Sequence, residues 1–227
     1  MMKRILFLAS FLGLGLLVQA QQINEVLQKV EKAAKEGQLA QSASYFRQAI
    51  GLQIAQSEQF YWTRIDKESA VGRQLLKELA DAYKRINNWD KAYLFYRELI
   101  RLSPGDVSYL SACADVQVHR GQEKDAAQLY EKVLERDPGH LEANIFLGSY
   151  YFLKAELEKK QIEADYKKLS TPTRMQYARY RDKLAQLFSS EYQRAKESLQ
   201  RVIGRFSSVE AKKTLEKISS VEREVNR

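Results

Sequence analysis

The sequence predicts an all-α fold of stacked antiparallel helix pairs, and three observations carry that expectation. From Gln21 onward no stretch keeps the two-residue alternation of a half-buried strand, and no Asn-Gly or Asp-Gly pair marks a hairpin. Apolar residues recur instead at spacings of three and four, as at Leu75, Leu76, Leu79, Ala80, Tyr83 and Ile86. The chain also repeats itself: Pro104 and Pro138, Tyr96 and Tyr130, Ala92 and Ala126, and Ala80 and Ala114 are each 34 residues apart.

The N-terminus has a different character. Lys3 and Arg4 precede an almost wholly apolar run from Ile5 to Val18, which closes on Val18-Gln19-Ala20 with small residues at the −3 and −1 positions of a cut before Gln21. This is the layout of a secretory signal peptide over residues 1–20. The run is shorter than the roughly 20 residues a spanning helix needs. The expectation is an exported protein, periplasmic or secreted, with no transmembrane span once the signal is removed; an uncleaved anchor is the competing reading. Gln21 stands where a lipid-anchored protein would carry Cys. The whole chain has 227 residues and a formal charge of +8, and cleavage would remove two positive charges. Its single Cys excludes an intramolecular disulfide framework.

The repeat is densest in two consecutive units. In residues 73–106, Leu76, Leu79, Ala80 and Tyr83 fall on a first helix, Asn87-Asn88-Trp89 makes a turn, Ala92, Tyr96 and Leu99 line a second helix, and Pro104 ends it. In residues 107–140 the matching places hold Leu110, Cys113, Ala114, Gly121, Ala126, Tyr130, Val133 and Pro138. The small alanines let two helices approach, and the tyrosines fill the space beside them. Proline cannot continue a helix, so each Pro-Gly segment opens a new pair. This 34-residue pattern resembles the tetratricopeptide repeat (TPR) family, with one departure at Gln117, where an aromatic is usual. The resemblance implies an α-solenoid with a concave binding surface.

Weaker units flank the pair. Residues 23–56 read as a degenerate unit, with Val26, Val30 and Ala33 before Gly37 and Ser42, Phe46 and Ala49 after it. Residues 57–72, containing Phe60-Tyr61-Trp62 and Gly72, read as a connector. A third unit begins in register at Leu147, Gly148 and Tyr151, but residues 152–169 hold no turn residue. Its second-helix signature, Tyr192, Ala195, Leu199 and Val202, comes late, after Ser170-Thr171-Pro172. We read 141–207 as an extended repeat whose two helices are prolonged into a long projecting hairpin. A competing division, 141–174 as an ordinary unit ending at Pro172, puts Lys160 where a small residue belongs. Residues 208–225 read as a capping helix, with Leu215, Ile218 and Val221 inward.

No nucleophile, base or metal motif stands out, so the expected protein is not an enzyme and takes no cofactor and no metal. Cys113 sits in a repeat core position, and His119 and His140 lack a carboxylate partner at helical spacing. The acid pairs Glu156/Glu158 and Glu163/Asp165 lie among lysines and read as a solvated face. From Lys154 to Lys196, eleven Lys/Arg face six Asp/Glu, interleaved with Tyr166, Tyr177, Tyr180 and Tyr192. Such a stripe suits an anionic lipid or polysaccharide of the envelope; a nucleic acid is disfavoured by export, and a plain solvated hairpin with tyrosines packed between its arms is the simpler reading.

What the resemblance implies for ligand binding is carried over by position. The inward surface would be lined by Gln74, Lys77, Asp81, Lys84 and Arg85 in one unit, Ser108, Ser111, Asp115, Val118 and His119 in the next, and Glu142, Ile145, Ser149 and Phe152 in the third. Some TPR proteins clamp a C-terminal carboxylate with Lys and Asn; here Lys77 matches one member, but Asp81 and Ser108 replace the others. The expected function is therefore a protein-interaction module or scaffold that binds a peptide or protein partner of another kind. The alternative is an envelope structural protein that docks through its basic hairpin. The oligomeric state is left open.

Overall fold

The computed structural model describes residues 21–226, so the signal peptide expected over residues 1–20 lies outside the described residues. Among them the chain is helical and holds no strand. It divides into two compact units, one through Tyr109 and one from Leu110.

In the first unit, residues 21–35 form α1, followed by α2 (Leu39–Leu52), α3 (Ile54–Arg64), α4 (Ala70–Arg85) and α5 (Trp89–Leu102). The α4 helix starts because Ser69 is extended and its hydroxyl accepts the Gly72 N–H at 2.8 Å. The α5 helix is capped by the Asn88 side chain, which accepts the Lys91 N–H. The two helices bury Leu75, Leu76, Leu79, Ala80, Ala92, Tyr96 and Leu99. Burying a side chain of Leu or Phe size stabilises by about 1.5–3 kcal/mol. Residues 57–64, expected as connector, continue helix α3. Tyr61 is fully buried there and Trp62 stacks on Phe95 at 5.9 Å. Glu58 on α3 takes the Tyr83 hydroxyl of α4 and the Lys91 ammonium of α5 (2.6 Å). Only residues 65–69 are irregular.

In the second unit lie most of α6 (Val107–His119), α7 (Glu123–Arg136), α8 (Leu141–Lys167), α9 (Arg174–Leu187), α10 (Gln193–Arg205) and α11 (Val209–Val225). A five-residue π turn, Phe188–Tyr192, joins α9 to α10 without interrupting the helical path. The α8 helix runs unbroken past residue 155 and turns only after Lys167, before α9 begins at Arg174.

The cause is visible in the turns. Three helix pairs close on a left-handed residue: Gly37 (φ 68°), Asn87 (φ 57°) and Gly121 (φ 71°). Each turn makes the same bonds, with Gln38, Asn88 and Gln122 N–H reaching back to Ala33, Tyr83 and Gln117 carbonyls at 2.9 Å. The position 34 residues after Gly121 is Ala155, which is buried and helical. With a Cβ there and no left-handed cap, α8 continues.

The continuation runs antiparallel to α9 and α10. Gly148 meets Leu199, Lys154 pairs with Glu191 (2.6 Å), Tyr192 bonds Glu156 (2.6 Å), and Tyr166 stacks on Tyr180 at 4.4 Å. The position 34 after Ala80 and Ala114 is Gly148, where a Cβ would stand 2.8 Å from Leu199. The α11 helix, expected as an end cap, lies along this hairpin: Lys196 binds Glu222 (2.8 Å), Lys159 binds Glu224 (2.9 Å), and Arg181 donates to the Val225 carbonyl (2.7 Å).

Candidate functional site

The expected partner surface divides between the units. In the first, the α4 residues Gln74, Lys77, Asp81, Lys84 and Arg85 follow one another at helical spacing. Gln74 donates to Glu78, which also receives Arg47 at 2.7 Å. Lys77 and Asp81 pair at 2.7 Å, and Asp81 also accepts the Tyr96 hydroxyl from α5. Burial, the largest single effect, pulls the Lys77 ammonium down, but its bond to Asp81 and the charges of Asp81, Glu78 and Tyr109 together hold it above its ordinary value. Lys84 is half-buried and Arg85 is exposed at the helix end. Ser108 is exposed, and both its N–H (2.8 Å) and its hydroxyl (2.6 Å) go to Asp106 Oδ1, fixing the start of α6.

In the second unit, α6 and α8 supply the face. Ser111 is buried and offers no surface, because its hydroxyl turns to Glu142 at 3.0 Å. Glu142 also accepts the Tyr130 hydroxyl at 3.1 Å, so this carboxylate ties α6, α7 and α8 together. Contrary to the expectation that the histidines lack a carboxylate at helical spacing, His119 has Asp115 four residues before it: its Nδ1 lies 2.9 Å from the Asp115 carbonyl oxygen and 3.5 Å from its carboxylate. Val118 is half-buried, while Ile145 and Ser149 are exposed. Phe152 turns elsewhere: its ring lies 6.3 Å from Tyr192, with Lys217 5.9 Å above it. Among the expected positions that are exposed are Arg85 in one unit and Ile145 and Ser149 in the other.

Two hollows lie outside that surface. One of about 480 Å³ in the first unit is lined by Asn24, Gln28, Glu31, Gln56 and Arg64 among others. One of about 410 Å³ in the second unit is lined by Glu131, Leu147, Tyr151, Arg194 and Arg201 among others. In the latter, Glu131 accepts both the Tyr151 hydroxyl and the Arg194 guanidinium, and that guanidinium lies 3.9 Å over the Tyr151 ring. Burial first, and then the Glu131 bond, push the Tyr151 phenol well above its ordinary range. The sequence gives no signal for this group, since Glu131 and Arg194 are 63 residues apart.

No group of three or more His, Cys, Asp or Glu residues that could hold a metal ion occurs among the described residues. Cys113 is buried. His140 caps α8, its Nδ1 accepting the Ala143 N–H at 3.4 Å. Among the described residues no helix is long and apolar enough to cross a membrane. The basic stripe of the hairpin is also partly neutralised: Lys154, Lys159 and Lys196 all pair with carboxylates of their own unit.

Helix pairs closed by one repeated turn, with small residues where they cross, define a helical-repeat protein. The comparisons agree. A family profile described as tetratricopeptide repeat matches residues 75–108. A crystal structure of a Bacteroides ovatus ATCC 8483 protein, named as a candidate protein binding protein, is 57% identical; the match covers 89% of this chain and 98% of that one, with a TM-score of 0.76. The crystal structure of MamA protein aligns over 91% of each chain at 9% identity and a TM-score of 0.39, too distant to carry weight. No curated protein matches the chain. The chain belongs to the tetratricopeptide repeat family.

Proposed function

We propose that the protein is a non-catalytic interaction module, exported from the cytosol, that holds a peptide or protein partner on the first-helix faces of its helix pairs. The supporting observation is the exposed face of α8, where Ile145 and Ser149 stand in solvent at helical spacing. An exposed branched apolar side chain flanked by small and polar ones is the kind of anchor an extended or helical segment seats on. The relative named for protein binding shares most of this sequence and supports the same reading. Export rests on the charged and apolar pattern of residues 1–20.

The test begins with crosslinking in the protein's own cells and identification of the captured species. Affinity for that species is then measured for Ile145→Asp and Arg85→Glu, and for Lys132→Glu on the opposite helix α7. The first two are expected to weaken binding at least tenfold and the third to leave it unchanged, since burying an aspartate in an apolar contact costs several kcal/mol. A loss confined to Lys132→Glu would place the partner on the other face and refute the assignment. Sequencing the N-terminus of the native protein tests export: Gln21 is expected first, and Met1 would refute cleavage.

A further inference from the structure

Along the arms of the α8–α9–α10 hairpin, Lys154, Lys159 and Lys196 pair with carboxylates, as shown above. The tip differs. Between Tyr166 and Lys183 the chain carries six Lys/Arg and one Asp. Lys168 meets Asp165 at 2.8 Å, but both side chains are more than half exposed, so the pair is worth little. Among the described residues no carboxylate lies within ion-pair distance of Lys167, Arg174 or Arg179, all of them exposed. The basic character that the sequence spreads over the whole hairpin is therefore concentrated, in the fold, at one end.

The same end carries apolar surface. Leu169 is 37% exposed, Met175 65% and Tyr177 48%. The Tyr166–Tyr180 stack binds the arms beneath them, and the Tyr177 ring approaches both at 6.3 and 6.4 Å. The loop between the arms is firmly terminated, because Thr173 and Gln176 make a reciprocal capping box at the start of α9. So the exposed leucine, methionine and tyrosine sit on a braced support and are ringed by Lys167, Lys168, Arg174 and Arg179.

A recess here, among Ile162, Tyr166, Leu169, Gln176 and Tyr180, measures about 180 Å³. That is below the few hundred Å³ of an ordinary ligand pocket and cannot seat a helix or strand of a partner. A convex end with a few large apolar side chains, a tyrosine at the boundary and a ring of long basic side chains matches an anionic bilayer surface. Apolar tips enter the headgroup layer, Tyr stays at its level, and Lys and Arg reach the phosphates. We propose that the hairpin tip, Tyr166–Lys183, is an anchor that docks on the surface of an anionic membrane. It shares no residue with the proposed partner positions at Arg85, Ile145 and Ser149.

The experiment is co-sedimentation of the natively purified protein with vesicles of phosphatidylcholine alone or with about 30% phosphatidylglycerol. Each basic residue near such a surface contributes about fivefold in affinity, and salt screens it. The wild type is expected to sediment with the anionic vesicles in dilute salt, not with the neutral ones, and to be released at high salt. Changing Lys167, Lys168, Arg174 and Arg179 together to Gln is expected to weaken binding on the order of several hundredfold. Met175→Asp with all charges of the ring retained is expected to weaken it about tenfold. A second quadruple variant removes the same charge elsewhere in the unit, at the exposed Lys124, Lys132, Lys212 and Lys213, and is expected to bind nearly as wild type. Circular dichroism checks that each variant is folded. Equal losses in both quadruple variants would overturn the proposal, because net charge and not the tip would then drive binding. It is also overturned if the protein ignores anionic vesicles, or if it binds an acidic polypeptide but no vesicle. None of these outcomes bears on partner binding through Ile145, so the two readings fail separately.

Discussion

Replacing Gly72 by alanine tests how the first unit is held together. Gly72 lies in the first turn of α4 and is buried. A Cβ built there would stand 2.0 Å from the Asp66 carbonyl oxygen and 2.9 Å from both the Asp66 carbonyl carbon and Lys67 Cα. All three are backbone atoms, so no side chain can rotate away. A comfortable carbon–oxygen contact is about 3.3 Å, so the 65–69 loop and α4 must separate by roughly 1 Å. Overpacking of this kind costs about 1–3 kcal/mol, and the Ser69 cap bond to the Gly72 N–H, worth about 1 kcal/mol, is strained with it. Alanine's better helix propensity returns up to about 1 kcal/mol. The net expectation is a loss of about 2 kcal/mol, or a fall in Tm of roughly 4–8 °C. The control is Gly51→Ala in α2, where nothing lies within 4 Å of the added Cβ and the change should be neutral or slightly stabilising. Urea unfolding followed by tryptophan fluorescence is the assay. Trp62 and Trp89 are the chain's two tryptophans, both lie in the first unit, and Lys67 sits over the Trp62 ring at 5.0 Å, so the signal reports on that unit and on that loop. A Gly72→Ala midpoint at or above the wild type, or one that moves with Gly51→Ala, would refute the packing argument.

Two further expectations follow from the fold. Gly148→Val should push α8 and α10 apart, because the added Cβ meets Leu199 Cγ and Cδ2 at 2.8 Å and the branch adds two more carbons. A loss of about 2–3 kcal/mol, read by circular dichroism because the second unit holds no tryptophan, is expected, and an unchanged melt would contradict the close approach. High pH should unfold the protein cooperatively. Burial, first of all, raises the phenols of Tyr61, Tyr130, Tyr151 and Tyr192 above their ordinary value, so the folded chain keeps protons that the unfolded chain gives up. Their contribution to stability is complete below about pH 10 and is lost as the pH rises past it toward the folded values. In an absorbance titration near 295 nm these tyrosines should ionise only together with loss of helix, and smooth ionisation with helix intact would contradict their burial.

Much of the fold was legible because a repeat states the same packing problem more than once. Ala80, Ala114 and Gly148 mark the crossings, and Gly37, Asn87 and Gly121 mark the turns by needing a positive φ. Helix α3 was not legible. Phe60-Tyr61-Trp62 has Leu94-Phe95-Tyr96 34 residues on, but Glu58 stands where the repeat has Ala92, and what makes the segment a buried helix is tertiary: Tyr61 is enclosed, and Glu58 reaches Tyr83 and Lys91. The course of α11 along the hairpin was hidden for the same reason, since Lys159 and Glu224 are 65 residues apart. Register alone could place residues on the inward face, but not say which of them the fold itself consumes.

That consumption follows one rule. Tyrosines at the repeat positions bury their rings between helices, and each phenol then needs an acceptor, because an unpaired buried hydroxyl costs about 1–3 kcal/mol. Tyr83 takes Glu58, Tyr96 takes Asp81, Tyr130 takes Glu142, Tyr151 takes Glu131 and Tyr192 takes Glu156. Every one of these carboxylates comes from a different helix than its tyrosine, so acids that read as a mixed-sign ligand groove or a solvated face serve as ties between helices. Four of them bind a cation or a second hydroxyl as well: Lys91 at Glu58, Lys77 at Asp81, Ser111 at Glu142 and Arg194 at Glu131. The aromatic code of the repeat thus commits the acidic residues of the faces to the scaffold. What these ties leave exposed is an apolar and basic remainder: Ile145 and Arg85 on the first helices of their pairs, and Lys167, Arg174 and Arg179 at the hairpin tip, where the phenols pack on one another.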